Sequence, residues 1–417
     1  MNIKKLLVLD TSYSLEMIFQ LRLEFSVTCR DLDNFFEHVW TVHPFASLVT
    51  SAGWSYKYGF PKVYKLNSSH TFIEGKVGIF NFLRFFKVLN FIFSQIHIFF
   101  YLVRLIHKEK ITIIRTGSPL YLGLFGWALS RWCKIPFVIR IGGNHDQIYS
   151  VNHKPIEKIF FHRKIEKIIE HFTFRRADLV AGANQDNLNF ALSNGARLKY
   201  STLFRYGNLI DKRHFLNPSE RKGGGDFLKK FGIENQKYIL YIGRLEIVKH
   251  PDHVIKVLSD IRQRGFDLKA VFVGDGKLKS SLIELASNLG VADHTLFIGN
   301  IDQDCLSKII PLATVIISPH TGRALSEAAL GGVPIIAYDV DWQGELIQTG
   351  VTGELVPYLN YKNIVNSLEK FLNNPLYAST MGNAVRKHVI EMMDPATLNQ
   401  HEREQYSATL NRFNKSN

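Results

Sequence analysis

Short runs of consecutive apolar residues alternate along this chain with longer stretches in which apolar positions recur every three or four residues. In the first half the runs are KLLVLD around Leu6, ITIIRT (111–116), PFVIRI (136–141) and DLVAGA (178–183). In the second half they are YILYIG (238–243), KAVFVG (269–274), TLFIGN (295–300), TVIIS (314–318) and PIIAY (334–338). Runs of this length predict strands covered on both faces, and the helical stretches between them predict the crossovers of a parallel α/β fold. The pattern breaks at NPSERKGGGDF (217–227), whose Pro and three Gly suit an exposed connection. The expected division is a first domain over 1–206, a second over 207–394, and a C-terminal helix of about 395–417 packed back on the first.

Ligands of parallel sheets sit beyond the carboxyl ends of the strands, so the residues that follow each run carry the candidate chemistry. After TVIIS comes the turn Pro319-His320-Thr321-Gly322, then a helix with one carboxylate, Glu327, expected about one and a half turns in, and a stop at Gly331-Gly332. Free backbone N–H groups at such a helix start suit an anion. YIGRLEIVKH places Gly243 at a tight turn, with Arg244 and Lys249 on the same loop, two cations that can neutralise a diphosphate. VFVGDGKLKSSL contributes Gly274 and Gly276, read as letting backbone approach a ligand, although Lys279 spoils any GxGxxG fingerprint. LFIGN adds Gly299 and Asn300, where main-chain groups could read a flat base. In the first half, Gly142-Gly143-Asn144-His145-Asp146 offers a His beside an Asp in a Gly-rich loop, suited to taking a proton or holding a sugar. Thr116, Ser118, Asp10, Thr11 and Ser12 stand at other strand ends as candidate walls on that side.

Length and composition narrow the class. With 417 residues and 46% hydrophobic content the chain has core for two to three domains, which excludes disorder. Its three cysteines, Cys29, Cys133 and Cys305, lie far apart without ligand spacing; they favour a reducing compartment and read as small hydrophobes. The apolar run near the N-terminus, Leu6 to Leu9, is too short for a signal peptide and reads as a first buried strand. The net charge of +14 is uneven: residues 1–206 carry +13 and residues 207–417 carry +1. A basic half implies an anionic partner, whether nucleic acid, membrane surface or phosphorylated acceptor. No RNP-like, zinc-finger or basic-zipper pattern is present, so nucleic acid is set aside. The same half holds a Phe-rich segment, Gly78 to Lys110, edged by Arg84, Lys87, Arg104, Lys108 and Lys110. Its apolar core, Val88 to Val103, contains Asn90, Gln95 and His97 and falls short of the roughly 20 residues of a membrane span. A helix buried beside the sheet and a helix lying in a lipid interface both fit.

Taken in order, GRLEIVKH, VFVGDGKLKSSLIELASNLGV, LFIGNI, LSEAALGGVPIIAYDV and ELIQTGVTGELVPYLN, over most of residues 238–372, resemble the retaining glycosyltransferases of family 4. RRADLVAGANQDNLNFALSNG and FRYGNLIDKRHF look like the end of that family's first domain and the passage into its second, while the first 110 residues match only as a generic α/β start. The resemblance implies the GT-B fold, two Rossmann-like domains with parallel sheets facing each other across a cleft. It implies that Arg244 and Lys249 hold the donor diphosphate, that Glu327 takes hydrogen bonds from ribose, and that the Gly322 turn faces phosphate or sugar. Gly243, Gly274, Gly276, Asn300, His320, Thr321 and Arg323 complete the expected donor side. Thr11, Thr116, Ser118, Asn144 and His145 form the acceptor side, and His145, Asp146, Arg244 and Lys249 are the candidate catalytic set. The chain departs from the family's pair of Glu residues: eight positions before Glu327 stands Pro319. The missing Glu contacts the donor sugar in the family, and His320 or Arg323 is the candidate replacement.

The expected activity is retaining transfer of a sugar from a nucleotide-diphosphate sugar, without cofactor or metal, to a glycan or lipid-linked acceptor. Basic charge and the Phe-rich segment place it in the cytoplasm, peripheral on the inner face of an anionic membrane, making lipopolysaccharide or another envelope polysaccharide. Asp339-Val340-Asp341 is a DxD of the kind that binds a divalent ion, but the alignment makes Asp339 a strand-end residue and no metal site is expected. Two other readings stay open: a catalytically silent sugar-nucleotide-binding subunit, suggested by the missing Glu, and a GT-B sugar-nucleotide epimerase.

Overall fold

Strand pairing in the computed structural model, which describes residues 4–49, 54–233, 236–320 and 322–416, builds two sheets. The first contains β1 (Lys5–Leu9), β2 (His38–His43), β3 (Lys62–Lys65), β4 (His70–Glu74), β5 (Ile113–Thr116), β6 (Phe137–Ile141), β7 (Leu179–Gly182) and β8 (Ser201–Leu203). Their order is β3-β4-β2-β1-β5-β6-β7-β8, all parallel except β3, which runs antiparallel to β4. The second contains β9 (Tyr238–Ile242), β10 (Lys269–Val273), β11 (Thr295–Gly299), β12 (Val315–Ser318), β13 (Ile335–Tyr338) and β14 (Glu354–Val356). Its order is β11-β10-β9-β12-β13-β14, parallel throughout. The chain divides into two units: Met1–Tyr149, His153–Leu209 and Pro395–Asn417 form one, Ser150–Asn152 and Ile210–Asp394 the other.

Each central strand is buried on both faces, as crossover helices require: Leu6, Leu7 and Leu9 of β1 and Ile239, Leu240 and Tyr241 of β9 are all fully buried. In the first unit the last helix, Pro395–Ser416, lies on the sheet's own side chains. Tyr406 is buried and accepts a hydrogen bond from Arg115 of β5 (3.3 Å), while Glu402 pairs with Arg140 of β6 (3.3 Å) and accepts from Asn208 (2.8 Å).

The Phe-rich segment forms the helix Lys87–Glu109, and its two sides differ. Ile98, Leu102, Val103 and Ile106 pack under the sheet with Leu7, Leu9 and Ile114. Val88, Leu89, Ile92, Phe93, Ile96 and Phe100 stay exposed, as do Phe82, Phe85 and Phe86 just before the helix. By length and composition this helix could cross a membrane, yet one side of it belongs to the protein core.

Backbone closeness in the second unit is set by two glycines. Gly274 has φ +128°, and a Cβ there would overlap the carbonyl oxygen of Gly243; a Cβ on Gly276 would overlap the carbonyl of Leu245. The loops after β9 and β10 are zipped together by hydrogen bonds from Leu245 N–H to the Asp275 carbonyl and from Leu278 N–H to the Leu245 carbonyl, both 3.0 Å. These glycines therefore admit neighbouring backbone on the side that a Cβ would occupy. Gly274→Ala should cost ~2–4 kcal/mol by strain and overlap together. Gly290→Ala, at φ +67° with no heavy atom within 4 Å, should cost only ~1–2 kcal/mol. Denaturant midpoints of the two variants measure the difference, and equal losses would show that the zipped loops yield freely.

Candidate functional site

Because β9 to β14 all run the same way, the loops after β9, β10, β11, β12 and β13 leave a single edge of the sheet. The pivot of that edge is His320, buried in the β12 loop. Its Nδ1 lies 3.0 Å from the Val248 carbonyl oxygen and its Nε2 lies 3.2 Å from Asp341 Oδ2. Gln343 adds a second tie, donating from Nε2 to the carbonyls of Pro319 and Tyr338 at 2.9 Å each. Three loops are thus held in fixed register.

Lys249, held between Val248 and His250 in this clamp, has its amine 3.9 Å from where a Cβ on Gly322 would lie. Burial lowers the Lys249 pKa to about 8, with Asp341 opposing the shift and Arg244 adding to it. Arg244 is exposed at the start of the same loop and pairs with Glu246 at 3.1 Å. Gly322 takes φ +65°, the left-handed conformation that a glycine adopts without strain. Glu327 is buried, with Arg323 Nε 3.4 Å from its Oε1. The helix carrying it is Ala324–Ala329, so Glu327 sits in the first turn and not one and a half turns in. Thr321 lies outside the described residues. Asn300 is exposed immediately after β11. His320, having both ring nitrogens engaged within the protein, is a clamp and not a replacement for the missing sugar-contacting Glu.

One residue beside Glu327 escaped the sequence reading. His214 is fully buried, its Nε2 lies 2.7 Å from Gln303 Oε1, and its Nδ1 finds no partner among the described residues. Burial lowers its pKa while the charge of Glu327 opposes the shift. No periodicity or spacing could join positions so far apart in the chain.

In the first unit the strand-end candidates separate into two groups. His145 opens the helix His145–Asn152, and its Nδ1 lies 2.7 Å from Glu170 Oε1, so Nε2 is the nitrogen that no described residue engages. Arg163 grips Glu170 with both terminal nitrogens (2.7 and 2.8 Å) and reaches Glu166 at 3.2 Å and Asp146 at 2.9 Å. Glu157 receives hydrogen bonds from Ser118 Oγ (3.3 Å) and Tyr121 N–H (3.1 Å), and burial raises its pKa. These residues form one network of carboxylates around Arg163 and His145.

Three expectations on this side are corrected. Asp146 is bound by Arg163 and Lys167; burial works against its ionisation, but those hydrogen bonds outweigh it and hold its pKa below the ordinary value. It positions the loop and is not poised for proton transfer. Asn144 caps the helix, accepting from Asp146 N–H (3.1 Å) and Gln147 N–H (3.3 Å) while its amide donates to Asp186. Thr116 is wholly buried with its hydroxyl unpartnered, so it faces the interior and not a ligand. Thr11 is exposed.

Among the described residues one cluster brings three potential metal-ligand atoms within 4.8 Å of one another: His250, Asp252 and His253, at the start of the helix Pro251–Gln263. Each already has partners: His250 with the Tyr358 hydroxyl (2.9 Å), His253 with the Tyr338 hydroxyl (2.7 Å) and Asp252 with Lys256 (2.7 Å). Neither carboxylate of the DxD belongs to it; Asp339 is exposed and Asp341 turns to His320.

Two parallel sheets of this connectivity make the GT-B fold. The structure of Anabaena HepE in complex with UDP-glucose superposes with a TM-score of 0.72 over 97% of this chain and 99% of that one, at 16% identity. Residues 226–388 match the family model described as glycosyl transferases group 1, and the chain resembles that group. Among curated relatives, the alpha-D-kanosaminyltransferase of Streptomyces kanamyceticus is 23% identical over 60% of this chain and 65% of its own. The GDP-mannose-dependent alpha-(1-6)-phosphatidylinositol monomannoside mannosyltransferase of Mycolicibacterium smegmatis is 27% identical over 39% of this chain and 46% of its own. The match thus spans less than two thirds of the length of these relatives.

The depressed pKa of Lys249 is directly measurable. After reductive methylation with a carbon-13 label, its amine should titrate near pH 8, below the ~10.4 of a solvated lysine. A midpoint at the solvated value would show that the His320 clamp does not desolvate it.

Proposed function

We propose that the protein is a glycosyltransferase that moves a sugar from a nucleotide-diphosphate sugar to an acceptor with retention of anomeric configuration and without a metal. The observation that carries this is the convergence of Lys249 on the Gly322 turn, with Arg244 on the same loop and Glu327 on the adjoining helix. Breaking a sugar–phosphate bond develops negative charge on the departing nucleotide and positive charge on the ring. Two cations held in place before the reaction oppose the first charge, and such preorganised groups contribute about 3–4 kcal/mol each. The glycosyltransferase names of the relatives and the UDP-glucose held by the structural neighbour support the donor class.

For the acceptor we infer a lipid-linked or envelope-polysaccharide intermediate at the cytoplasmic face of the membrane. Support comes from the +13 balance of residues 1–206, from the exposed Phe face before and along the helix Lys87–Glu109, and from a relative whose name includes a phosphatidylinositol acceptor. To His145, held by Glu170 in the first unit, we assign the role of meeting the acceptor or transferred sugar.

A silent nucleotide-sugar-binding subunit is the second reading, favoured by one observation: Pro319 stands where a carboxylate would meet the sugar, and its neighbour His320 is committed to the clamp. A thermal-shift screen against nucleotides and nucleotide sugars, followed by transfer and hydrolysis assays with and without EDTA, separates the two. Stabilisation with turnover that survives EDTA is expected; stabilisation without turnover establishes the silent subunit.

Arg244→Ala or Lys249→Ala should lower kcat/KM about 10²-fold. Wild-type rates in both would move the diphosphate site off this loop. Burial depresses the Lys249 pKa, so its charge is complete below pH 7 and lost as pH rises through about 8. Nucleotide diphosphate affinity should therefore fall above pH 8, by up to about tenfold per unit, and Lys249→Met should flatten that dependence.

A further inference from the structure

Between the exposed side of the helix Lys87–Glu109 and the helix Tyr121–Cys133 lies a groove of about 460 Å³. That volume falls in the range of about 300–1,000 Å³ typical of small-ligand sites. Its walls are Phe91, Ile92, Gln95 and Phe99 of the first helix, Tyr121 and Phe125 of the second, and Ile159 from the turn Lys158–Phe160. The two polar groups among them cancel: the Tyr121 hydroxyl donates to Gln95 Oε1 at 2.6 Å. What remains facing the groove is carbon.

Charge along the Phe-rich side of this groove has one sign, and the Ile159 wall brings one of each. Between Gly75 and Lys108 the chain contains no Asp or Glu but carries Arg84, Lys87 and Arg104, while Lys158 and Glu157 both precede Ile159. One end of the groove meets the acceptor-side network directly. Tyr121, whose ring lines the groove, gives its backbone N–H to Glu157, the carboxylate that Ser118 also reaches, and Ile159 follows Glu157 by two residues. A hydrocarbon chain lying in the groove would thus bring its head group to the strand-end loop after β5, toward the residues around His145.

From this geometry we propose that the groove is a tail subsite for one hydrocarbon chain of a phosphate-bearing lipid, the lipid that carries the acceptor sugar. The proposal deepens the acceptor assignment made above and rests on it: the exposed Phe residues enter the membrane surface, and the groove takes a single chain from it. Recognition is of length and anionic head together, not of a bilayer in general.

The test uses the full chain and no donor, so it is independent of turnover. Geranyl, farnesyl and geranylgeranyl monophosphates are titrated calorimetrically below their micelle concentrations, with farnesol and inorganic phosphate as controls. Affinity should rise with chain length, by up to about fourfold per buried methylene, until the groove is filled. Farnesol should bind more weakly than farnesyl phosphate, and phosphate alone should not bind measurably. Ile92→Trp, which fills the groove, should weaken farnesyl phosphate at least tenfold; Ile92→Ser, which removes wall without adding bulk, should weaken it severalfold and keeps the test decisive where the larger side chain disturbs folding. Phe82→Ser, outside the groove, should leave this affinity within twofold while reducing sedimentation with anionic vesicles. Affinity independent of chain length, or unchanged in both Ile92 variants, overturns the subsite. So does a concentration-dependent dimer that Ile92→Trp abolishes, since the groove would then be filled by a second copy. Failure of the transferase reading is recognised separately, by chain-length-dependent binding in a protein that turns over no nucleotide sugar.

Discussion

The arrangement at the second sheet's edge depends on one buried imidazole. His320 joins the Val248 carbonyl to the Asp341 carboxylate, and in doing so it holds the loops after β9, β12 and β13 together. Without the clamp Lys249 would be an ordinary solvated amine on a long loop. With it, the ammonium is partly desolvated and held against the Gly322 turn, where its field is stronger than in water and needs no reorganisation. The Asp of an apparent metal-binding pair is thus consumed in supporting a cation.

The first unit solves the matching problem with carboxylates. Glu166 and Glu170 are completely buried against a single guanidinium, Arg163, whose two terminal nitrogens hydrogen-bond them while its Nε finds no partner among the described residues. Its effect is orientation: Glu170 fixes the tautomer and direction of His145, and Asp146 and Asn144 fix the turn that presents it. Removing one charge from such a cluster leaves another buried without compensation.

What was legible in the chain follows from which signals are local. Nine strands announced themselves as uninterrupted apolar runs, and their carboxyl ends marked Arg244, Lys249 and Gly322. β2 did not, because HVWTVH reads as half polar, although Val39 to His43 are all buried and His43 is pushed down to a pKa of about 4 by that burial. β4 hides for a similar reason: its Glu74 is buried and neutralised by Lys76 two residues on, at 3.0 Å. Such pairs are invisible to hydropathy, which scores each residue as though it met water alone. The roles of Gly274, Gly276, Thr116 and Asn144 were also hidden, since close backbone approach, interior orientation and capping are properties of neighbours that sequence spacing does not name.

The Phe-rich segment shows the same limit from the opposite direction. Apolar residues all round a helix suggest either core or lipid, and here the two descriptions apply to opposite sides of one helix. The core side is obligatory, because Leu102 and Ile106 complete the covering of β1 and β5. The other side is not required by the fold: Phe82, Phe85 and Val88 are each more than 70% exposed, and apolar surface this contiguous is costly in water. A sequence under no other demand would carry polar residues there, as the exposed sides of the second unit's helices do at Lys256, Asp260 and Lys362. The asymmetry between the units is therefore one of surface: the second half is nearly neutral with charged helix faces, while the first is basic and carries an exposed Phe face that its fold does not require.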